Sequence, residues 1–69
     1  MPRHKVELLS VSQDDESKDI QFVTYVEAYD TNDAIHKAKE IQKREKPEIN
    51  VADNWFWFSY ETSEKQKIN

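Results

Sequence analysis

The chain contains no cysteine and no glycine, and it has only two prolines and two histidines among its 69 residues. Without cysteine, disulfides, thiolate zinc sites and cysteine nucleophiles are excluded. Without glycine, so are the Gly-rich phosphate loops and the dinucleotide-binding fingerprint. Two histidines are too few for a His-rich metal site, so we expect neither a metal site nor a cofactor.

Long hydrophobic runs are also lacking. The short apolar segment Val6-Glu7-Leu8-Leu9 is below the length of a signal-peptide core and far below that of a membrane span. A chain without cysteine and without a recognisable leader suits a reducing compartment. We therefore expect a cytoplasmic protein that does not enter the membrane.

Charge and aromatic content point in different directions. Charged residues make up 35% of the chain and the mean hydropathy is -1.01, values that raise the question of disorder. Two Trp, three Tyr and three Phe provide the surface for a small core and favour folding.

A net charge of -4 disfavours nucleic-acid binding, which depends on phosphate neutralisation. We expect one domain, 1–69, ordered over about 4–62, with a frayed tail at 63–69.

Residue patterns predict three strands and one helix. The helix should begin at an Asp30 or Thr31 cap and end near residue 45, because Pro47 disfavours a helical residue before it. Its apolar face should carry Ala34, Ile35, Ala38 and Ile41. The strands are predicted at 4–11, 20–29 and 55–61, with a polar loop at 12–19.

This order predicts an α+β fold of ββαβ form, with one helix on one face of a three-stranded mixed sheet. The first two strands should form an antiparallel hairpin, and the helix should cross over to a third strand parallel to the second. We prefer the strand order 2-1-3, and 1-2-3 is the alternative.

Strand alternation divides the apolar residues between two faces. On the helix side we expect Val6, Leu8, Phe22, Val26, Phe56 and Phe58. On the opposite side, which no second helix can cover, we expect Leu9, Val23, Tyr25, Trp55 and Trp57. The alternatives are that the faces are reversed, that the chain ends fold over the patch, or that Trp55 only flanks the sheet.

An uncovered patch with two tryptophans indicates an interface. We predict a protein-binding site formed by Trp55, Trp57, Tyr25 and Val23. The acidic residues of the hairpin loop, Asp14, Asp15 and Glu16, would form its rim; alternatively they are a solvated loop. Homodimerisation through the same face is a further reading.

No group of residues has the spacing of a catalytic site. His4 and His36 are expected at the surface, without a neighbouring nucleophile and orienting acid. An enzyme would require a carboxylate pair in a pocket, for which Glu27 and Glu61 are the candidates. We therefore predict a protein that is not an enzyme, with no catalytic residues.

The segment Tyr25-Val26-Glu27-Ala28 continues into Asp33-Ala34-Ile35 and then Ala38. This strand-to-helix unit resembles one found in small acidic proteins of phages and mobile elements. The resemblance covers about 16 residues, Tyr25 to Glu40. Some of those proteins bind and disable a host enzyme, including defence nucleases.

The resemblance implies a phage or mobile-element accessory protein that inhibits a host protein by occlusion, acting in the host-cell cytoplasm. The implied partner is a host protein such as a nucleic-acid-processing enzyme. The alternative function is a small nucleic-acid-binding protein that uses the aromatic sheet face and the basic helix end, Lys43, Arg44 and Lys46.

Overall fold

The structure, a computed structural model, describes residues 1–63. Its elements follow the predicted ββαβ order. They are β1 (Arg3–Val11), β2 (Lys18–Glu27), α1 (Thr31–Glu45) and β3 (Phe56–Glu61). The predicted frayed tail, 63–69, lies outside the described residues except for Ser63.

The three strands form one sheet in the order β2-β1-β3, which confirms the predicted order 2-1-3. β1 is antiparallel to both neighbours, so β2 and β3 run in the same direction on either side of it. The sheet is therefore antiparallel rather than mixed. The single crossover through α1 brings β3 to the free edge of β1.

The loop between β1 and β2 is closed by its own hydrogen bonds. The backbone N–H of Ser12 donates to the carbonyl of Ser17 at 2.8 Å, and the N–H of Ser17 donates to the Asp15 carboxylate at 3.0 Å. Glu16 has a φ of 59°, in the left-handed region that glycine adopts most easily. In a chain without glycine, a side-chain-bearing residue adopts this conformation instead.

The start of α1 is fixed by residues in and just before its first turn. Asp30 is the N-cap, and its carboxylate accepts a hydrogen bond from the Asp33 backbone N–H at 2.8 Å. Asp33 in turn accepts from the Tyr29 backbone N–H at 3.1 Å and lies 3.5 Å from the Lys37 ammonium group. The predicted cap and helix end are both confirmed, since α1 ends at Glu45.

The core lies between α1 and one face of the sheet. Ala34 and Ala38 are fully buried, so α1 approaches the strands closely. The core cluster also contains Val6, Val26 and Ala28, with Ile35, Ile41 and Trp57 packed against it. Leu8 is fully buried as well.

The register of β3 corrects our assignment of its faces. Trp57 lies directly opposite Leu8 of β1, and Phe58 lies opposite Glu7. Directly paired residues of an antiparallel ladder share a face, so Trp57 is on the helix side and Phe58 is on the opposite side. The prediction that Phe56 and Phe58 face α1, and that Trp57 faces away from it, was wrong.

A β-bulge changes the faces of β2 as well. Leu8 pairs with Phe22 and Leu9 pairs with Ile20, which leaves Gln21 as the extra residue. The extra residue shifts the alternation by one position. Phe22 therefore faces α1 as predicted, whereas Ile20 lies on the opposite face beside Leu9.

Candidate functional site

The face of the sheet turned away from α1 is the main candidate surface. We call it the open face, and it consists of Arg3, Lys5, Glu7, Leu9 and Val11 of β1 together with their direct neighbours in β2 and β3. Residues directly opposite each other form its rows.

Two rows form the centre of the open face. In one, Lys5 lies between Tyr25 and Tyr60; in the other, Glu7 lies between Val23 and Phe58. The Phe58 and Tyr60 rings are 5.5 Å apart, centroid to centroid. Phe58 is 47% exposed, so aromatic surface remains open to solvent along the edge strand β3.

The rows at either end differ in character. Toward the hairpin end, Leu9 lies between Ile20 and Phe56, which extends the apolar surface. At the other end, Arg3 lies opposite Glu27. The open face is therefore apolar around Leu9, with Lys18 opposite Val11 at its hairpin end, and charged at the end that carries Arg3.

Lys5 and Glu7 form a partly buried ion pair at the centre of the open face. The Lys5 ammonium nitrogen lies 3.9 Å from a Glu7 carboxylate oxygen and 5.9 Å from the centre of the Tyr25 ring. The side chains are only 22% and 14% exposed, because the flanking aromatic and aliphatic residues cover them. Folding has therefore already removed much of the water around these two charges, so a partner that covers them adds only a small further desolvation free energy.

The structure separates the residues that we predicted would form one site. Val23 and Tyr25 lie on the open face, whereas Trp57 packs against the core and makes an edge-on contact with Phe22 at 6.4 Å between ring centroids. Trp55 is half-buried and precedes β3, so strand alternation does not place it on the open face. The residues missed by sequence reasoning are Phe56, Phe58 and Tyr60, whose exposure in alternate positions of β3 follows only from the register.

The acidic residues of the hairpin loop, Asp14, Asp15 and Glu16, are exposed at one end of the sheet. The Asp15 carboxylate accepts hydrogen bonds from Ser17 and Ser12, and the backbone N–H of Ser17 is the main reason that the pKa of Asp15 lies below its ordinary value. Asp15 therefore has a structural role in the turn. Within residues 1–63, no group of three or more His, Asp or Glu side chains is placed to hold a metal ion.

His4 is buried on the helix side of β1, at 3% exposure, and the prediction of a surface histidine was wrong. Within the described residues, its Nδ1 atom has no hydrogen-bond partner, and neither has the hydroxyl of buried Ser59. Both side chains face the core, away from the open face.

The carboxylate pair that an enzyme would require is not brought together. Glu27 lies opposite Arg3, on the open face, whereas Glu61 lies opposite His4, on the helix side. The two residues are in the outer strands and on opposite faces of the sheet. The described part of the chain also contains no helix of the length and hydrophobicity required to cross a membrane.

Comparison with known proteins adds no relative. Searches with protein-family models, against curated proteins and against solved structures find no significant match to this chain.

Proposed function

We propose that this protein is a non-enzymatic protein-binding module whose contact surface is the open face. The observation that carries the proposal is the aromatic surface of that face, where Phe58 and Tyr60 are 47% and 38% exposed and Tyr25 flanks the Lys5–Glu7 ion pair from the other side. Tyrosine and other large aromatic side chains are enriched in protein interfaces. Contiguous exposed apolar surface on a small domain is typical of a binding site.

The charges of the open face favour a protein partner over a nucleic acid. Its positive residues are Arg3, Lys5 and Lys18, and its negative residues are Glu7 and Glu27, so its formal charge of +1 is far below that of a surface built to bind phosphates. A nucleic acid that stacked on Phe58 would place its phosphates near Glu7, in a chain with a net charge of -4.

The alternative of nucleic-acid binding also combines two surfaces that the fold separates. The aromatic residues lie on the open face, whereas the basic helix end belongs to α1, which packs on the other side of the sheet. One strand of nucleic acid cannot lie along both surfaces without passing around the edge of the domain.

The resemblance to phage and mobile-element proteins adds a narrower proposal. In it, the partner is a host protein, such as a defence nuclease, and binding through the open face inhibits that protein by occlusion. Occlusion requires only a stable contact, and it therefore does not depend on the Glu27 and Glu61 carboxylates, which the described residues hold on opposite faces. The acidic residues Asp14, Asp15 and Glu16 would then form a charged rim at the hairpin end.

The test compares two valines of similar exposure in a capture experiment. Val23 on the open face is 38% exposed, and Val51 in the loop before β3 is 44% exposed. The immobilised protein and the variants Val23→Ser, Phe58→Ser and Val51→Ser are incubated with a bacterial lysate, with and without nuclease, and retained proteins are identified by mass spectrometry.

We expect a retained protein that survives nuclease, is lost with Val23→Ser and Phe58→Ser, and is kept by Val51→Ser. Equal retention by all four proteins would contradict the assignment to the open face. Retention that disappears after nuclease treatment would favour the nucleic-acid alternative.

A further inference from the structure

We infer that the open face also binds a second copy of this chain, face to face about a two-fold axis, when no host protein occupies it. The inference rests on the proposed function, because it assigns a further occupant to the same surface. Its basis is the pair Lys5 and Glu7 of β1, which is complementary to itself when one copy is reversed.

Charge balance is the first argument. Arg3, Lys5 and Lys18 against Glu7 and Glu27 give the open face a formal charge of +1, so the excess negative charge of the chain lies elsewhere. Two copies can therefore approach through this face without bringing the acidic surfaces of the chain together. The acidic hairpin loop would be the main source of repulsion if it met its own copy.

The two-fold arrangement avoids that repulsion. With the axis in the plane between two sheets and perpendicular to the strands, the strands of the copies run in opposite directions. The row of Lys5 in one copy then faces the row of Glu7 in the other, and the reverse contact follows by symmetry. Phe58 faces Tyr60 of the second copy, and the acidic loop lies beyond the end that carries Arg3.

The same arrangement places further opposite charges next to the Lys5–Glu7 ion pair. Lys5 and Glu7 already lie 3.9 Å apart within one chain, so two stacked pairs give an alternating group of four charges. Lys5 and Glu7 then each have an opposite charge beside them and another across the interface, whereas Arg3 of one copy lies over Leu9 of the other. An axis parallel to the strands would instead place Lys5 over Lys5 and is disfavoured.

The size of the open face sets the strength of the contact. Three strands at a spacing of about 4.8 Å, and the four rows from Arg3 to Leu9, about 7 Å apart, give a footprint of about 400 Å² per copy. This is roughly half the area of a standard interface, which is typical of a weak and reversible contact.

The experiment measures mass by analytical ultracentrifugation of the full chain from about 5 μM to about 1 mM, a range suited to a weak dimer. The mass should rise from 8.3 kDa toward twice that value. Lys5→Glu and Glu7→Lys should each weaken association by about 100-fold or more, because each variant places like charges opposite each other. Lys39→Glu and Glu40→Lys, on the exposed side of α1, change the net charge equally and should dimerise as the natural chain does.

An equimolar mixture of Lys5→Glu and Glu7→Lys provides the decisive measurement. In the two-fold arrangement, the mixed dimer places Glu at position 5 opposite Lys at position 7, so association should return. Since only folded chains can restore the contact, this result also controls for misfolding. The double variant K5E/E7K should dimerise by itself for the same reason.

A chain that remains at 8.3 kDa throughout would overturn the inference. So would single variants that dimerise normally, or a mixture that remains monomeric. A monomer that still captures another protein through Val23 and Phe58 would overturn the inference alone, whereas a monomer without such capture would overturn the proposed function too. Added salt should weaken dimerisation only slightly, because partly buried charge pairs are screened less than exposed ones, whereas binding to an oligonucleotide should fall steeply with salt.

Discussion

Trp57 and Phe58 are adjacent in β3, yet replacing them with alanine should have opposite consequences. Trp57 packs against the core cluster and contacts Phe22, whereas Phe58 lies on the open face. Trp57→Ala should therefore destabilise the fold. Phe58→Ala should leave the fold nearly intact and affect association instead.

The magnitude follows from the burial of each side chain. Removal of a fully buried Trp costs about 3–5 kcal/mol, and Trp57 at the edge of the core should cost about 2–4 kcal/mol. Phe58 is 47% exposed and loses mainly its contact with Tyr60, so about 1 kcal/mol or less is expected. The whole domain should have a free energy of unfolding of about 3–10 kcal/mol.

Urea denaturation followed by far-ultraviolet circular dichroism measures both effects. It should be performed at about 5 μM, the low end of the range used for the dimer, because association would add to the apparent stability. Trp57→Ala should lower the melting temperature by about 10–25 °C in a parallel thermal scan. A loss of stability for Phe58→Ala that equals or exceeds that of Trp57→Ala would refute the assignment of β3 faces.

Three further predictions concern the hairpin and the helix. Glu16→Gly should raise the free energy of unfolding by about 0.5–1 kcal/mol by relieving the φ of 59°, whereas Gln13→Gly, in the same loop, should not; chemical denaturation tests both. Ala38→Leu should cost about 1–3 kcal/mol in the same assay, because the buried Ala38 leaves no space between α1 and the sheet. The hydrogen bond from the Tyr29 backbone N–H, together with Lys37, holds the pKa of Asp33 below its ordinary 3.8. This contribution to stability is present above pH 3.8 and is lost as the pH falls through the lower pKa that Asp33 has in the folded protein. The melting temperatures of Asp33→Asn and of the natural chain should therefore differ at pH 7 and converge in acid. A difference that stays constant with pH would contradict this account.

Local patterns in the sequence were sufficient for the elements and much of the topology. Asp30 as a cap and Pro47 after the helix bounded α1, because capping and proline geometry act within a few residues. The alanine spacing at Ala34 and Ala38 predicted the side of α1 that contacts the sheet. The polar loop after β1 predicted an antiparallel hairpin, and a single helical crossover left few possible strand orders.

Only the tertiary structure decided which residues of β3 and β2 face solvent. β3 has aromatic residues at successive positions from Phe56 to Phe58, so its alternation defines two sets without indicating which one is buried. The pairing of Trp57 with the fully buried Leu8 made that choice. The bulge at Gln21 places Ile20 on the opposite face from Phe22, although unbroken alternation would have kept the two on one face. Register depends on contacts between residues distant in the chain, and a shift of one residue exchanges the faces of a strand. The composition of the chain therefore determined that an aromatic surface would remain uncovered, and the register determined that Phe58 and Tyr60, rather than Trp57, would form it.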